Sequence, residues 1–366
     1  MWLQLLRQHI PPTLQRRATL IEHRKTTCIC AQSLQYCEYG EPGDVLKLVE
    51  LDLSEPKDNE VLVRLLAAPI NPSDINTIQG KYPVKLPLPA IAGNEGVGEV
   101  LRTGANVQKL KRGQRVVVVE SALGTWRTHA NFSEQQLLGI PNKMDLATAA
   151  TMVVNPPTAY RMLKDFVPLA QGDCVIQNGA NSAVGQIVHQ LCKAWGLKSI
   201  GIVRNRPNLD ELKTYLKLLG ASEVLTEEEL AQKNVANKLC KLPTPRLALN
   251  CVGGKNASDM AKQLAVKGVM VTYGGMSRKP VVIPTPALIF KNISFCGFWV
   301  TRWMREYKGK PTRDKMFAEL IEMLDQGKLK GVKHEMVPLK DYKKAVSDAL
   351  DLKGMVGKKY ILQMKC

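Results

Sequence analysis

A glycine-containing turn near the middle of the chain lies between an apolar, strand-like segment and a helix-like one. The turn is part of QNGANSAVGQ at residues 177–186. At such a turn, backbone N–H groups and the positive end of the helix dipole bind a pyrophosphate. The first two glycines of the usual dinucleotide motif are absent, but Gly185 stands where the last one allows close helix–strand packing. The pattern predicts a dinucleotide site at Asn181, Ser182, Ala183 and Val184.

Two arginines follow the next strand-like segment, about twenty residues beyond Gly185, where NAD enzymes place a carboxylate for the ribose hydroxyls. The segment here is Arg204-Asn205-Arg206 and contains no carboxylate. Guanidinium groups suit bidentate pairing with a 2′-phosphate. The alternative is a pair of solvated surface arginines. We predict NADPH as the cofactor, contacted by all three residues of this segment.

The segments that must position these residues show two patterns. Strand-like runs at 61–70, 95–104 and 114–119 are separated by turn residues, which predicts an antiparallel barrel or sandwich. After Gly172 strands and helices alternate, including a strand over 246–252, which predicts a doubly wound parallel sheet. Asp145 is suited to cap the helix that begins between the two halves. The last strand-like segments, 331–339 and 358–364, are expected to return to the first half.

The N-terminal segment is basic, and its first acidic residue is Glu22. Arginines interleaved with tryptophan and leucine predict a mitochondrial transit peptide, and the alternative is a frayed basic tail. Residues 1–27 contain five basic residues and one acidic residue, so the net charge of +18 falls to about +14 without them. The remaining chain is still basic, which favours an anionic ligand or partner.

Composition excludes several classes of protein. Among nine scattered cysteines only Cys28 and Cys30 are close together, which gives no zinc ribbon and favours a reducing compartment. No apolar run is long enough to span a bilayer, so membrane insertion is not expected. Aromatic residues make up 5% of the chain and form no RNA-binding signature, which makes nucleic acid an unlikely partner.

Several motifs, in their order along the chain, are similar to those of a known family. They are APINPSDINTIQGKYP, AGNEGVGEV, GTWRTHA, NPPTAYRML, RLALNCVGG and VTYGGM. They resemble mitochondrial trans-2-enoyl-thioester reductases of the medium-chain dehydrogenase/reductase superfamily. The resemblance implies an α/β fold with a GroES-like β-barrel catalytic domain plus a doubly wound Rossmann cofactor domain. The implied divisions are a transit peptide at 1–27, the catalytic domain at 28–154, the NADPH-binding domain at 155–299 and a C-terminal return at 300–366.

The resemblance also implies an activity, which is NADPH-dependent reduction of trans-2-enoyl thioesters in mitochondrial fatty acid synthesis in the matrix. The expected substrate is carried on CoA or acyl carrier protein, and a homodimer is expected. Many superfamily members bind catalytic zinc through a Gly-His-Glu segment, but this chain has Gly93-Asn94-Glu95, so no metal is expected. Two alternatives stay open: a zinc-free quinone oxidoreductase of the same superfamily, and a non-catalytic NADPH- or RNA-binding relative.

Residue roles follow from the same resemblance. The family's proton donor corresponds to Tyr82, whose phenol, with an ordinary pKa of about 10, is protonated at neutral pH. Asn71, Ser73 and Asp74 are expected to shape the loop that presents Tyr82. Val153 replaces a common glycine, and if it lines the acyl tunnel, long enoyl chains are expected to be disfavoured. The basic residues at 302–310 suit CoA phosphates or an acidic carrier protein, and the alternative is a solvated basic face. The implied cofactor contacts are Asn155, Tyr273, Gly274, Gly275, Met276, Phe298, Trp299, Val300, Thr301 and Lys359.

Overall fold

The computed structural model describes residues 29–350 and 358–364, so the predicted transit peptide lies outside the described part. Its strands are β1 (Ile29–Tyr36), β2 (Lys47–Leu53), β3 (Glu60–Pro69), β4 (Ala90–Ile91), β5 (Val97–Thr103), β6 (Arg115–Val118), β7 (His129–Ser133), β8 (Leu137–Gly139), β9 (Cys174–Asn178), β10 (Lys198–Val203), β11 (Glu223–Thr226), β12 (Leu247–Asn250), β13 (Val269–Thr272), β14 (Ser294–Gly297), β15 (His334–Pro338) and β16 (Lys359–Gln363).

The described α-helices alternate with these strands in the second half of the chain. They are α1 (Pro42–Val45), α2 (Pro72–Ile78), α3 (Leu146–Ala150), α4 (Asn155–Asp165), α5 (Ala183–Ala194), α6 (Leu209–Leu218), α7 (Glu227–Leu230), α8 (Val235–Leu239), α9 (Gly254–Gln263), α10 (Thr285–Ile289), α11 (Val300–Glu306), α12 (Pro311–Asp325) and α13 (Tyr342–Leu350). Within the described ranges, none of them is long and apolar enough to cross a bilayer.

The first half of the chain forms a largely antiparallel barrel around strand β3. This strand pairs antiparallel with β5, β7 and β16, and β16 pairs in parallel with β15. Most β3 side chains, such as those of Val61, Val63 and Leu65, are fully buried, which explains the near-continuous apolar run in its sequence. The last strands of the chain therefore complete the barrel that the first strands begin.

The second half forms a six-stranded parallel sheet in the order β11-β10-β9-β12-β13-β14, with helices between the strands. From β9 the chain proceeds to β10 and β11 on one side and then crosses to β12 on the other. Parallel sheets of this kind bind ligands at the carboxyl ends of the strands, next to the point where the direction reverses. The predicted α/β fold, a GroES-like barrel with a doubly wound Rossmann half, is confirmed. The residue divisions between domains stay a prediction.

Helices α3 and α4 join the barrel to the parallel sheet. Asp145 caps α3, because its side chain accepts a hydrogen bond from the backbone N–H of Thr148. Helix α4 begins at Asn155 and carries prolines in its first turn, where a missing N–H costs nothing. Its Tyr160 hydroxyl donates a 2.6 Å hydrogen bond to Glu319 of α12. This hydrogen bond fastens helix α4 to α12.

Candidate active site

A cavity of about 700 Å³ lies between the barrel and the parallel sheet. The barrel side contributes the start of α2, the loop that contains Tyr82, and Asn94. The sheet side contributes the residues that follow β13 and β14, the start of α5 and the first turn of α4. Of the residues predicted from the sequence, those that line the cavity are Tyr82, Asn155, Val184, Tyr273, Gly274, Gly275, Met276, Phe298, Trp299, Val300 and Thr301.

Tyr82 is held by its own loop and by the opposite wall. Its backbone N–H donates to the carbonyl of Asn76 at 3.0 Å, which turns the chain back toward α2. Its hydroxyl oxygen accepts a 2.7 Å hydrogen bond from the Trp299 indole N–H, and the two rings meet edge to face with centroids 5.8 Å apart. Burial raises the pKa of Tyr82, while hydrogen bonding from Trp299 and Thr301 opposes that rise. At neutral pH the phenol therefore retains its proton.

A buried polar network lies behind the α2 wall of the cavity. The Asp74 carboxylate accepts hydrogen bonds from the backbone N–H of Asn71 at 2.7 Å and from the Asn94 side chain at 2.6 Å. The Asn94 side-chain oxygen in turn accepts from the backbone N–H of Ala122 at 2.9 Å. Burial raises the pKa of Asp74 to about 7. The network thus fixes the start of α2, as expected for the loop that presents Tyr82.

The same network continues through a second carboxylate and a buried ammonium. The Asn71 side chain donates to Glu95 at 2.7 Å, and its oxygen accepts from Lys359 Nζ at 2.6 Å. Lys359 also donates to the carbonyl of Ile70 at 3.3 Å. Burial raises the pKa of Glu95 and lowers that of Lys359, and each charge opposes the shift of the other. The structure therefore places Lys359 behind Asn71 and outside the cavity lining.

The turn after β9 has the shape of a phosphate cradle. The Ser182 hydroxyl caps α5 by accepting from the backbone N–H of Gly185. A side chain at Gly185 would put its Cβ 2.5 Å from the carbonyl oxygen of Ala180, so only glycine fits there. Strands β9 and β10 run in parallel with Asn178 opposite Ile202, which places the turn beside the segment that follows β10. The turn residues Asn181, Ser182 and Ala183 do not line the main cavity.

Arg204 and Asn205 are exposed directly beyond β10, and Arg206 is half-buried. This position, next to the cradle, is where the adenosine ribose of a dinucleotide would lie. Burial raises the pKa of Glu227, and the nearby guanidiniums of Arg204 and Arg206 oppose that rise. Glu227 follows a different strand, β11, so its position in the sequence does not indicate this proximity.

The comparisons with known proteins agree with this geometry. The alcohol dehydrogenase GroES-like domain matches residues 57–165, and the zinc-binding dehydrogenase domain matches residues 183–322. A mitochondrial enoyl-[acyl-carrier-protein] reductase of Xenopus tropicalis is 46% identical over 89% of this chain and 94% of its own length. The chain belongs to the mitochondrial enoyl-[acyl-carrier-protein] reductase family.

Solved structures similar to this chain include an enoyl-thioester reductase and a less similar quinone reductase. The Etr1p protein in complex with NADP and crotonyl-CoA superposes with a TM-score of 0.86 at 36% identity, covering 92% of this chain and all of that one. A putative NADPH:quinone reductase from Bacillus thuringiensis superposes with a TM-score of 0.82 at 29% identity, over 92% of this chain and all of that one. The predicted mitochondrial location agrees with the names of the reductase-family relatives.

The donor set of this reductase-family chain does not fit the zinc ion named in its matching domain. Asn94, which replaces the histidine, already uses its amide to bridge Asp74 and Ala122. Across residues 29–350 and 358–364, no group of three or more His, Cys, Asp or Glu side chains could hold a metal ion. An amide oxygen is also a poor substitute for imidazole as a zinc ligand.

One expectation about the acyl site is wrong. Val153 is 5% exposed and packs in the main hydrophobic core, whereas the neighbouring Val154 lines the cavity. The two residues precede α4 with consecutive side chains on different sides of the backbone. Val153 therefore does not narrow the cavity by direct contact.

Proposed function

We propose that this chain reduces trans-2-enoyl thioesters to saturated acyl thioesters with NADPH, and that Tyr82 is the proton donor. The observation that supports this function best is the position of the protonated Tyr82 hydroxyl. It lies in a cavity that also contains the ends of β13 and β14, on the cofactor side. The thioester enolate that forms on hydride addition needs such a donor to be protonated at carbon, whereas reduction of a quinone protonates oxygen.

Tyr82 and Trp299 have separate roles in the proposed reaction. Bound NADPH supplies the hydride that adds to the β-carbon of the double bond. Tyr82 donates its phenolic proton to the α-carbon, which completes the saturated thioester and leaves a phenolate. The Trp299 N–H, already 2.7 Å from the Tyr82 oxygen, stabilises the charge that develops there.

The cofactor would occupy the cavity and the adjoining turn. The cradle of Asn181, Ser182, Ala183 and Val184 suits the pyrophosphate, and Arg204, Asn205 and Arg206 suit the 2′-phosphate. Asn155 lines the cavity with its Nδ2 buried and, within the described residues, without a hydrogen-bond partner. That amide is suited to the nicotinamide carboxamide. Lys359 reaches the cofactor only through a change in its present contacts with Asn71 and Ile70.

The acyl carrier would be bound at the basic segment beyond Trp299. Arg302 and Arg305 are exposed, and the Arg302 guanidinium lies 5.8 Å from the centroid of a Trp299 ring. Both CoA and acyl carrier protein hold the acyl thioester at one end of a pantetheine arm and a phosphate at the other end, and that phosphate suits these cations. The reaction would serve fatty acid synthesis in the mitochondrial matrix.

The active unit would be a homodimer formed at the open edge of the parallel sheet. Strand β14 ends that sheet and therefore presents unpaired backbone groups. The preceding segment exposes large apolar side chains, with Ile289 66% and Phe290 76% exposed. Exposed apolar surface beside a free strand edge is typical of a subunit interface. Phe290→Arg should convert a dimer to a monomer in light scattering coupled to gel filtration, and an unchanged mass would exclude this edge.

The activity is tested by mixing purified protein with NADPH and crotonyl-CoA and following the loss of NADPH absorbance. Oxidation of NADPH together with formation of butyryl-CoA is expected. Parallel reactions contain NADH, a quinone, or an enoyl chain on acyl carrier protein. Oxidation with quinones but not with enoyl thioesters would overturn the proposal in favour of a quinone reductase.

A further inference from the structure

Glu95 is a fully buried carboxylate that accepts hydrogen bonds from two separate walls of the cavity. Its Oε1 accepts from the Asn71 side chain at 2.7 Å. Its Oε2 accepts from the backbone N–H groups of Val153 and Val154, at 3.1 and 3.0 Å. Its own backbone carbonyl accepts from the Thr125 hydroxyl at 2.7 Å, which fixes the segment from the barrel side.

Each wall leads along the chain to a proposed functional group. Asn71 precedes α2, and the chain after α2 folds back through Asn76 to Tyr82. Val154 immediately precedes α4, whose first turn places Asn155 and Thr158 in the cavity lining. A single side chain, that of Glu95, therefore connects the wall that contains Tyr82 to the helix at the cofactor wall.

We propose that Glu95 is a positioning residue that sets the distance between Tyr82 and the cofactor side of the cavity. This inference rests on the proposed function and adds a residue that touches neither substrate nor cofactor. Hydride and proton must arrive at adjacent carbons of one double bond. A small change in the spacing of the two walls therefore slows the reaction without weakening the attachment of the cofactor's phosphates.

The contacts require a carboxylate rather than a polar group in general. An ionised carboxylate offers only acceptors, and all three of its recorded partners here are N–H donors. Glutamine would direct an NH₂ group at some of these donors and leave buried N–H groups unpaired. Lys359 supplies a compensating positive charge through Asn71, whose amide bonds both groups.

Glu95→Gln tests the proposal, with Glu99→Gln as the matched control. Glu99 lies four residues further along, half-exposed, and pairs with Arg64 at the surface, where an ion pair contributes little. The readouts are the unfolding midpoint, the Kd for NADPH, the number of NADPH-binding sites and the kcat for crotonyl-CoA per binding site. For Glu95→Gln we expect kcat per site to fall about 10- to 100-fold, because a displacement of about 1 Å has an effect of that order.

The Kd for NADPH is expected to stay within about threefold, because the phosphate contacts lie at the distant turn. A purely structural role would remove binding sites and leave kcat per remaining site unchanged, and that result would overturn the proposal. Wild-type kcat in folded Glu95→Gln would also overturn it. If Glu95→Gln does not fold, Glu95→Asp retains an acceptor-only carboxylate on a shorter side chain. It should show the same fall in kcat per site with a nearly unchanged Kd for NADPH. Absence of activity in the wild type would refute the proposed function instead.

Discussion

The indole N–H of Trp299 donates a 2.7 Å hydrogen bond to the hydroxyl oxygen of Tyr82, across the cavity between the two halves of the molecule. The residues are 217 positions apart, and the contact joins the barrel to the segment after β14. Because an indole N–H can only donate, this contact does not use the phenolic proton of Tyr82. The contact thereby holds the Tyr82 hydroxyl at the cavity.

Replacing Tyr82 with phenylalanine should remove the proton donor and little else. We expect kcat to fall about 100- to 10,000-fold, the usual range for loss of a general acid, with NADPH binding retained. Steady-state turnover of crotonyl-CoA and a fluorescence titration with NADPH measure the two quantities. Tyr342→Phe is the control, since the Tyr342 hydroxyl donates a 2.8 Å hydrogen bond to the carbonyl of Leu46, outside the cavity lining. Turnover of Tyr82→Phe at the wild-type rate would remove the assigned role.

Trp299→Phe should retain an aromatic ring beside Tyr82 and delete the hydrogen bond. The N–H of Trp299 lowers the pKa of Tyr82, so its loss raises that pKa further and makes the phenol a weaker acid. We expect kcat to fall about tenfold, the value of one hydrogen bond to a developing charge. Because activity needs protonated Tyr82, the alkaline limb of the pH–rate profile should move to higher pH. A limb that moves to lower pH would contradict this assignment.

The two arginines beyond β10 should determine the choice between NADPH and NADH. A hydrogen bond to a charged group contributes about 1.5–3 kcal/mol, so Arg204→Ala or Arg206→Ala should lower kcat/KM for NADPH about 10- to 100-fold. The value for NADH should be unchanged, because NADH lacks the 2′-phosphate. Arg112→Ala removes an exposed arginine elsewhere and serves as the control. Equal losses with both cofactors would place the arginines outside the 2′-phosphate site.

Asp74 should make the stability of the protein depend on pH. Its folded-state pKa of about 7 lies above the value of about 3.9 expected for an unfolded chain, so the folded protein binds the extra proton between these values. The free energy of unfolding should therefore fall as pH rises from about 4 to about 7, by up to about 1.4 kcal/mol per pH unit.

Asp74→Asn should flatten this dependence, although its amide will also lower the stability at every pH by facing the N–H donors of Asn71 and Asn94. Urea unfolding at several pH values measures the slope, and Asp52→Asn, at an exposed position, is the control. An identical slope in wild type and Asp74→Asn would assign the proton to another group.

Most helices and strands could be predicted from the sequence, because the periodicity of their apolar residues reflects burial. Strand β3 and helix α5 appear where apolar runs and the turn at Gly185 predict them. The strand predicted over 246–252 ends earlier, at Asn250, because the Asn250 side chain accepts the backbone N–H groups of Val252 and Gly253 and turns the chain. That ending depends on a local side-chain bond, which hydrophobic patterning does not report.

The candidate site was only partly predictable. Resemblance pointed to Tyr82 and Trp299 separately, but nothing in the sequence showed that they form a hydrogen bond. The network of Asn71, Glu95 and Lys359 joins three distant segments, so no local spacing could indicate it. In the sequence, Asn94 and Glu95 are notable only because the histidine of zinc-binding relatives is missing beside Glu95. Their hydrogen bonds are visible only in the folded structure.

The late position of strand β16 in the sequence affects when the barrel can be completed during synthesis or import. Its pairing with β3 and the contact of Lys359 with Asn71 join an early and a late segment of the chain, with these two residues 288 positions apart. A chain still emerging from a ribosome or a translocation pore has not yet released this strand. The barrel wall beside Tyr82 therefore stays unfinished until β16 has been delivered, and a chain that lacks this strand is expected to lack a complete cavity.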